Sequence, residues 1–242
     1  MNILPTTTAT EVAAQGARIA VIPVGSFEQH GSHLPLSTDT IIACAIAEAI
    51  STSYGLFLLP PIPIACSHEH ASWPGTVSIS AATLHRLLHD IIDSLHRSGV
   101  HKVVIVNGHG GNYVLANVVQ ELSVDGPNIA LFPRPDDWDK ARNDADLGSG
   151  GHEDMHAGEI ETSLLLYLVP AAVKSDYRQA DSDGTDRRKH LLTLGLQAYT
   201  STGVVGRPSL ADAAKGKAVL DSLTASFAEY LTVLDSAVPD LK

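Results

Sequence analysis

The fold is decided by residues 18–59, which read RIAVIPVGSFEQHGSHLPLSTDTIIACAIAEAISTSYGLFLL. The β-branched run at residues 18–24 predicts a strand that ends at Gly25. Residues 40–51 are apolar and alanine-rich, which indicates a buried helix. Residues 56–59 predict a second strand. A strand, a helix and another strand in this order predict a parallel βαβ unit, because parallel neighbours need a crossover connection.

The same alternation continues along the chain. Further strands are predicted at residues 102–106 and 128–132, and further helices at residues 81–98, 113–122, 159–168 and 211–234. Strands separated by helices predict an α/β fold with a parallel sheet covered by helices. The length of 242 residues suits one domain, residues 1–242, better than two small ones. Residues 133–151, rich in Asp and Gly, could be a mobile lid or a solvated loop, and residues 175–189 have no assignment.

Composition limits the classes of partner. The formal net charge of -11 argues against nucleic-acid binding, since nucleic-acid-binding proteins present a basic surface. No apolar run approaches the roughly 20 residues that a membrane span needs, and the N-terminal residues have no signal-peptide pattern. We therefore expect a cytoplasmic protein without a membrane partner. The two cysteines, Cys44 and Cys66, imply no disulfide framework.

Polar side chains follow the predicted strands, where α/β sheets bind ligands. Glu28 and His30 come after the first strand and are two residues apart, so in an extended segment they point to the same side. Asp39 lies at the start of the next helix. His109 lies among glycines after the strand at residues 102–106. We expect these side chains to converge at one edge of the sheet.

A third polar segment, HAGEIET at residues 156–162, opens a predicted helix. His156 and Glu159 are three residues apart, a spacing that lets two side chains face one ligand. Together the segments supply a histidine and carboxylate set that suits zinc, manganese or iron: Glu28, His30, Asp39, His109, His156, Glu159 and Glu161. With one shared carboxylate, two divalent ions can lie roughly 3.5–4 Å apart and activate a bridging water. A nearby histidine can then protonate a leaving nitrogen.

Each segment alone also has a simpler interpretation. An ExH pattern on a loop is a weak signal. The GHGG segment at residues 108–111 could be a backbone nest for a phosphate or only a tight turn. Glu161 could be a helix-start charge that interacts with the macrodipole. We favour a metal site because all three segments fall where the α/β rule places a binding cleft.

The remaining histidines and the tryptophans have other predicted roles. His85, His89 and His96 lie within about 40° of one another on a helical wheel. They could form a second metal site, but a solvated or subunit-facing stripe is the favoured interpretation. Three other side chains are predicted to bind the substrate: His70, Trp73 and Trp138.

The quoted segments resemble the creatininase (creatinine amidohydrolase) family. The matching motifs are VIPVGSFEQHGSHLPLSTDT at residues 21–40, WPGTVS at 73–78, VNGHGGN at 106–112 and HAGEIETS at 156–163. The resemblance implies a three-layer α/β/α fold with a mostly parallel central sheet. It also implies two divalent ions per chain, zinc first with manganese or iron as alternatives, hydrolysis of a C–N bond outside ordinary peptides, and a homohexamer built as a trimer of dimers.

The resemblance also implies roles for individual residues. Glu28 and His109 would bind one ion, and His30 the other. Asp39 would bridge both ions. His156 matches the histidine that shuttles the proton, and a second catalytic candidate lies in the same motif: Glu161.

The chain departs from the creatinine-hydrolysing members at two positions. Gly111 stands where those members carry a metal-binding glutamate, and we infer that Glu159 replaces that ligand on the second ion. Met155 stands where they carry Glu, so creatinine is not the expected substrate.

The expected activity is hydrolysis of a cyclic amide or formamide in a small molecule. The family also contains deformylases of a ribosylaminopyrimidine and a branch that clips the precursor peptide of mycofactocin. The peptidase branch ranks lower because it tends to carry His at the position of Glu159. Two further alternatives are a single-metal hydrolase and a metal- or nucleotide-binding module without turnover.

Overall fold

The computed structural model describes residues 4–182 and 187–236, and its sheet has four strands. They are β1 (Ile19–Val24), β2 (Phe57–Leu58), β3 (Lys102–Asn107) and β4 (Ile129–Phe132), in the spatial order β2-β1-β3-β4. Every pairing is parallel, and β1 runs in register with β3 from Ile19 opposite Lys102 to Val24 opposite Asn107. All six residues of β1 are buried, as expected for a sheet covered on both faces.

Helices cover the sheet in two layers. Those in the described ranges are α1 (Ala9–Gln15), α2 (Thr38–Tyr54), α3 (Ala81–Arg97), α4 (Val114–Leu122), α5 (Pro135–Asp144), α6 (Glu159–Leu168), α7 (Leu191–Leu194) and α8 (Ala213–Asp235). Strand side chains alternate between the layers, so Ile22 packs with α3 and α4 while Val21 packs with α2, α5, α6 and α8. This arrangement confirms the three-layer α/β/α fold.

The helix α3 illustrates why local sequence was sufficient for most elements. Its apolar residues recur at helical spacing and are buried, as Leu84 and Leu88 are. The Ser80 hydroxyl accepts a hydrogen bond from the Thr83 amide at 3.2 Å and caps the first turn. Gly99 follows the last turn with φ of 89°, the left-handed conformation that ends many helices.

The segment at residues 133–151 is not a loop over most of its length, because α5 lies within it. The Asp137 carboxylate accepts a hydrogen bond from the Arg134 amide at 2.8 Å, which caps the helix. Ala141 is buried and Trp138 packs against the same core. This helix escaped the sequence analysis because so few of its residues are apolar.

The segment at residues 175–189 begins with a 3-10 turn at Ser175–Gln179, and residues 183–186 lie outside the described part of the chain. Among the described residues, no helix combines the length and the apolar character needed to cross a bilayer.

Candidate metal centre and active site

The loops that follow β1 and β3 meet at the carboxyl edge of the sheet. The Gly108 amide donates to the Val24 carbonyl at 2.9 Å. Asn112 joins the loops, because its Nδ2 donates to the Gly25 carbonyl at 3.1 Å and its Oδ1 accepts from the Cys66 amide at 3.1 Å. The polar residues of separate segments are therefore held beside one another, as the α/β rule predicts.

Gly108 lets the start of α2 approach the loop after β3. A Cβ at this position would overlap the Asp39 carbonyl oxygen. On the other side, the Thr40 hydroxyl donates to the Ser26 carbonyl at 2.9 Å. The first turn of α2 is thus fixed between the two loops, which brings the Asp39 side chain to His109.

Asp39 is the centre of the site. Its Oδ1 lies 3.0 Å from His30 Nε2 and its Oδ2 lies 3.0 Å from His109 Nδ1. The Ser26 hydroxyl donates to Oδ2 at 2.6 Å. Burial alone would raise the pKa of Asp39, but His30 and His109 hold it well below its usual value. An ionised carboxylate with a histidine at each oxygen can bridge two cations.

His30 faces Asp39 and Glu161 with one ring nitrogen. Its Nδ1 hydrogen-bonds the Glu28 carbonyl at 3.0 Å, which turns Nε2 toward the two carboxylates. The Oε2 of Glu161 lies 3.8 Å from this Nε2 and accepts a hydrogen bond from the Ala157 amide at 2.6 Å. Burial raises the pKa of Glu161 to about 7, while the neighbouring His30 opposes that rise.

Two groups of potential ligand atoms share Asp39. The first is Glu28, Asp39 and His109, and the second is His30, Asp39 and Glu161; within each group the atoms lie within 4.8 Å of one another. A further group joins Glu28 and His30 with His156. The donors are imidazole nitrogens and carboxylate oxygens, which suit zinc, manganese or iron.

Glu28 provides the test of whether the site fits a cation. It is fully buried, and within the described residues neither carboxylate oxygen has a hydrogen-bond partner. His70 Nε2 lies 3.2 Å from Oε1, and His109 Nε2 lies 3.2 Å from Oε2. Burial raises the pKa of Glu28 to about 7. Since a buried carboxylate without hydrogen bonds is costly, a divalent cation beside it would compensate.

His156 is neutral and has a defined tautomer. Its Nε2 lies 2.7 Å from the Gln29 carbonyl oxygen, so the ring proton is on Nε2. The other nitrogen, Nδ1, lies 3.8 Å from Glu28 Oε1 and is free of a proton. Burial, then the charge of His30, lower the pKa of His156 well below its usual value. Nδ1 is therefore the nitrogen at which the ring would take up a proton.

Gln29 is a site residue that the sequence analysis missed. Its side-chain Nε2 donates to the Gly203 carbonyl at 3.1 Å and lies 2.9 Å from His70 Nδ1. This contact holds the His70 ring with its other nitrogen, Nε2, toward Glu28. Its position between Glu28 and His30 was the available signal, but the residue type gave no indication of metal chemistry.

Glu159 does not join the ligand groups. Its Oε1 accepts hydrogen bonds from Lys215 Nζ at 2.6 Å and from the Gly148 amide at 3.1 Å. Glu159 and Glu161 are two residues apart on α6, so their side chains point about 200° apart around the helix axis. The geometry assigns to Glu161 the place beside His30 that the sequence analysis gave to Glu159.

The space beside Gly111 is filled by Glu69. A Cβ at position 111 would overlap Glu69 Oε1 and His109 Nε2. Glu69 Oε1 itself lies 3.6 Å from His109 Nε2. Glu69, from the 3-10 turn His68–His70, therefore occupies the space that a side chain at position 111 would take.

Two cavities adjoin these residues. One of about 430 Å³ is lined in part by His109, Glu161 and Trp138, and one of about 380 Å³ is lined in part by Glu69 and Gly111.

Of the three predicted substrate contacts, Trp138 therefore lines a cavity beside the site. His70 is buried against Glu28. The Trp73 ring lies 6.2 Å from the His70 ring and outside the lining of both cavities.

Comparison with known proteins gives the same family for sequence and fold. The creatinine amidohydrolase (creatininase) family model matches residues 5–231. The mycofactocin precursor peptide peptidase of Mycobacterium ulcerans (strain Agy99) is 36% identical over 228 residues, covering 89% of this chain and 85% of that protein. The creatinine amidohydrolase of Pseudomonas putida is 25% identical over 234 residues, covering 90% of each chain.

The fold agrees with that of solved relatives. A crystal structure of creatinine amidohydrolase (creatininase) matches with a TM-score of 0.80 at 24% identity, covering 96% of this chain and 97% of that one. The family match spans nearly the whole chain and includes every ligand candidate described above. The chain is a member of the creatininase family of hydrolases.

Proposed function

We propose that the chain is a metal-dependent hydrolase of an amide C–N bond. The observation that carries this proposal is the buried carboxylate of Glu28, which lacks hydrogen-bond partners among the described residues and lies beside ligand groups that share Asp39. One ion would be held by Glu28, Asp39 and His109, and the other by His30, Asp39 and Glu161. Solved creatininases include a manganese form and a Zn-Zn form, which supports zinc or manganese here.

The side chains of the site supply positioning and proton transfer. When bound, the two ions would polarise the substrate carbonyl and lower the pKa of the attacking water. His156 accepts the proton of that water at Nδ1 and returns it to the leaving nitrogen. The Gln29 carbonyl keeps the other proton of the ring on Nε2 throughout. Trp138 forms a wall of the adjoining cavity.

We further infer that the substrate is a peptide-derived chain. Cavities next to both His109 and Glu69 suit residues on the two sides of a scissile bond, whereas a small cyclic amide needs only one cavity. The named activity of the Mycobacterium ulcerans relative supports this inference. The peptidase branch tends to carry His where this chain has Glu159, and here Glu159 pairs with Lys215 outside the ligand groups.

The test is a substrate panel with purified protein loaded with zinc or manganese. Peptides with free and blocked ends, creatinine and a formylated amine are incubated separately, and products are identified by mass spectrometry. Cleavage of a peptide bond supports the proposal. Turnover of only the cyclic amide or the formamide would instead favour a small-molecule hydrolase, and tight binding without product would favour a binding module.

Two variants show whether any turnover comes from this site. Glu28→Gln keeps the shape of the side chain but removes its charge, so we expect loss of activity and of at least one ion. Glu229→Gln makes the same chemical change at an exposed position of α8 and should retain both. Full activity in Glu28→Gln would contradict the proposal.

A further inference from the structure

A second cluster of potential ligands lies between α3 and α4, away from the catalytic loops. His85 and His89 are four residues apart on α3, so they occupy the same face on successive turns. Glu121 lies in the last turn of α4, about 10 Å along the helix from the end that follows the Asn107–Asn112 loop. The cluster is therefore separate from the site built around Asp39.

The two imidazoles converge on one carboxylate oxygen. His85 Nε2 lies 2.8 Å from Glu121 Oε2, and His89 Nε2 lies 3.7 Å from the same atom. The rings stack with centroids 4.3 Å apart. The three potential ligand atoms lie within 4.8 Å of one another. Ligands of a tetrahedral zinc ion are about 3.4 Å apart, so small side-chain rotations suffice to surround one ion.

His89 is the residue of this cluster whose ring nitrogen Nε2 lacks a hydrogen-bond partner among the described residues. Its Nε2 is buried and, within the described part of the chain, has no hydrogen-bond partner, since Glu121 is within hydrogen-bond reach of His85 only. A buried ring nitrogen without a partner is costly. The residues remain reachable from solvent, because the side chains of His85 and His89 are 33% and 29% exposed and that of Glu121 is 55% exposed.

We propose that His85, His89 and Glu121 form a second divalent-metal site, which takes zinc or a transition ion of similar ligand preference. Two imidazoles and one carboxylate favour such ions over magnesium or calcium, which prefer all-oxygen coordination. Water would complete the coordination at the exposed side. Because the ligands come from two helices, the bound ion links α3 to α4. An ion that binds only the folded chain stabilises it by mass action.

The proposal is tested by counting ions in protein that keeps its catalytic site. Wild type, the double variant His85→Gln/His89→Gln and the control His96→Gln are equilibrated with zinc, and zinc per chain is measured by elemental mass spectrometry. His96 lies on the same helix but outside the ligand group. We expect the double variant to hold one ion fewer than wild type and the control to match wild type.

Affinity gives a second measurement. Loss of a group that merely orients a metal ligand already weakens binding by about 10–100-fold, so Glu121→Gln should weaken the extra site by at least about tenfold. Glu121 is exposed, so this variant folds even if the double variant does not. In wild type, added zinc should raise the melting temperature more than it does in Glu121→Gln.

Several outcomes would overturn the proposal. They are equal ion counts in wild type and the double variant, loss of the ion in His96→Gln, or occupation only at millimolar zinc, which means an adventitious ion only. Repeating the count in a Glu28→Gln background separates this site from the catalytic one. The extra ion should persist there even if the catalytic site binds no metal.

Discussion

Glu159 Oε1 lies 2.6 Å from Nζ of Lys215, a residue of α8. The carboxylate that the sequence suggested as a metal ligand is therefore paired with a lysine. Glu159 is fully buried and Lys215 is 28% exposed. Two residues further along α6, Glu161 faces His30 instead. Glu159 therefore has a structural role and Glu161 belongs to the candidate metal centre. We expect different results when each is substituted.

The ion count should respond to Glu161 and not to Glu159. We expect Glu161→Gln to lose one of the two proposed ions, because the group of His30, Asp39 and Glu161 then has one charged ligand fewer. Glu159→Gln is the matched control and should retain both. Elemental analysis of the two proteins, purified without chelators, gives the answer. The reverse pattern would return Glu159 to the metal centre.

Removing Lys215 should cost stability without removing metal. Lys215→Met leaves the buried Glu159 carboxylate without its cation, and breaking a buried pair in this way costs about 3 kcal/mol. Urea unfolding of the metal-loaded protein measures the change in the free energy of unfolding. Lys217→Met is the control, since Lys217 pairs with Asp221 in an exposed i,i+4 contact and should show no measurable change. Equal losses in both variants would contradict the assigned role of the pair.

Gly111→Ala should impair catalysis although only a methyl group is added. The new Cβ overlaps His109 Nε2 and Glu69 Oε1, so His109 must shift. A displacement of about 1 Å in a catalytic constellation can cost roughly 100-fold in rate. Gly110→Ala is the neighbouring control, because a Cβ there meets no atom within 4 Å. Measured kcat/KM should fall in the first variant only; a fall of similar size in both would point to the loop backbone instead.

His33 should make the folded state sensitive to mild acid. Its Nε2 hydrogen-bonds the Ala157 carbonyl at 3.0 Å, and burial lowers its pKa from 6.5. The unfolded chain therefore takes up a proton before the folded chain does. The stability that this group contributes is complete above pH 6.5 and falls as the pH drops below that value.

The measurement compares wild type with His33→Gln, which retains a hydrogen-bond donor. The free energy of unfolding of wild type should fall more steeply below pH 6.5, by at most about 1.4 kcal/mol per pH unit for one group. Parallel curves for the two proteins would show that His33 does not contribute to this acid sensitivity.

Local pattern was sufficient for the sheet and for most helices. Parallel strands buried on both faces read as short apolar runs, and α3 reads as an amphipathic repeat, so both could be predicted from neighbouring residues alone. The helix α5 could not be predicted in this way. It is mostly polar, and its few apolar residues become meaningful only when they pack against α8.

The sequence by itself determined the three-layer fold, the family and the edge of the sheet where Glu28, Asp39 and His109 meet. These follow from hydrophobic periodicity and from ordered motifs placed after strands. Only the tertiary structure decided that Glu161 rather than Glu159 faces His30, and that Glu69 fills the space beside Gly111. Which glutamate faces His30 depends on the side chains that distant segments bring to the site. The contact of Lys215 with Glu159, for example, joins residues that are too far apart in the chain for a local sequence pattern to predict.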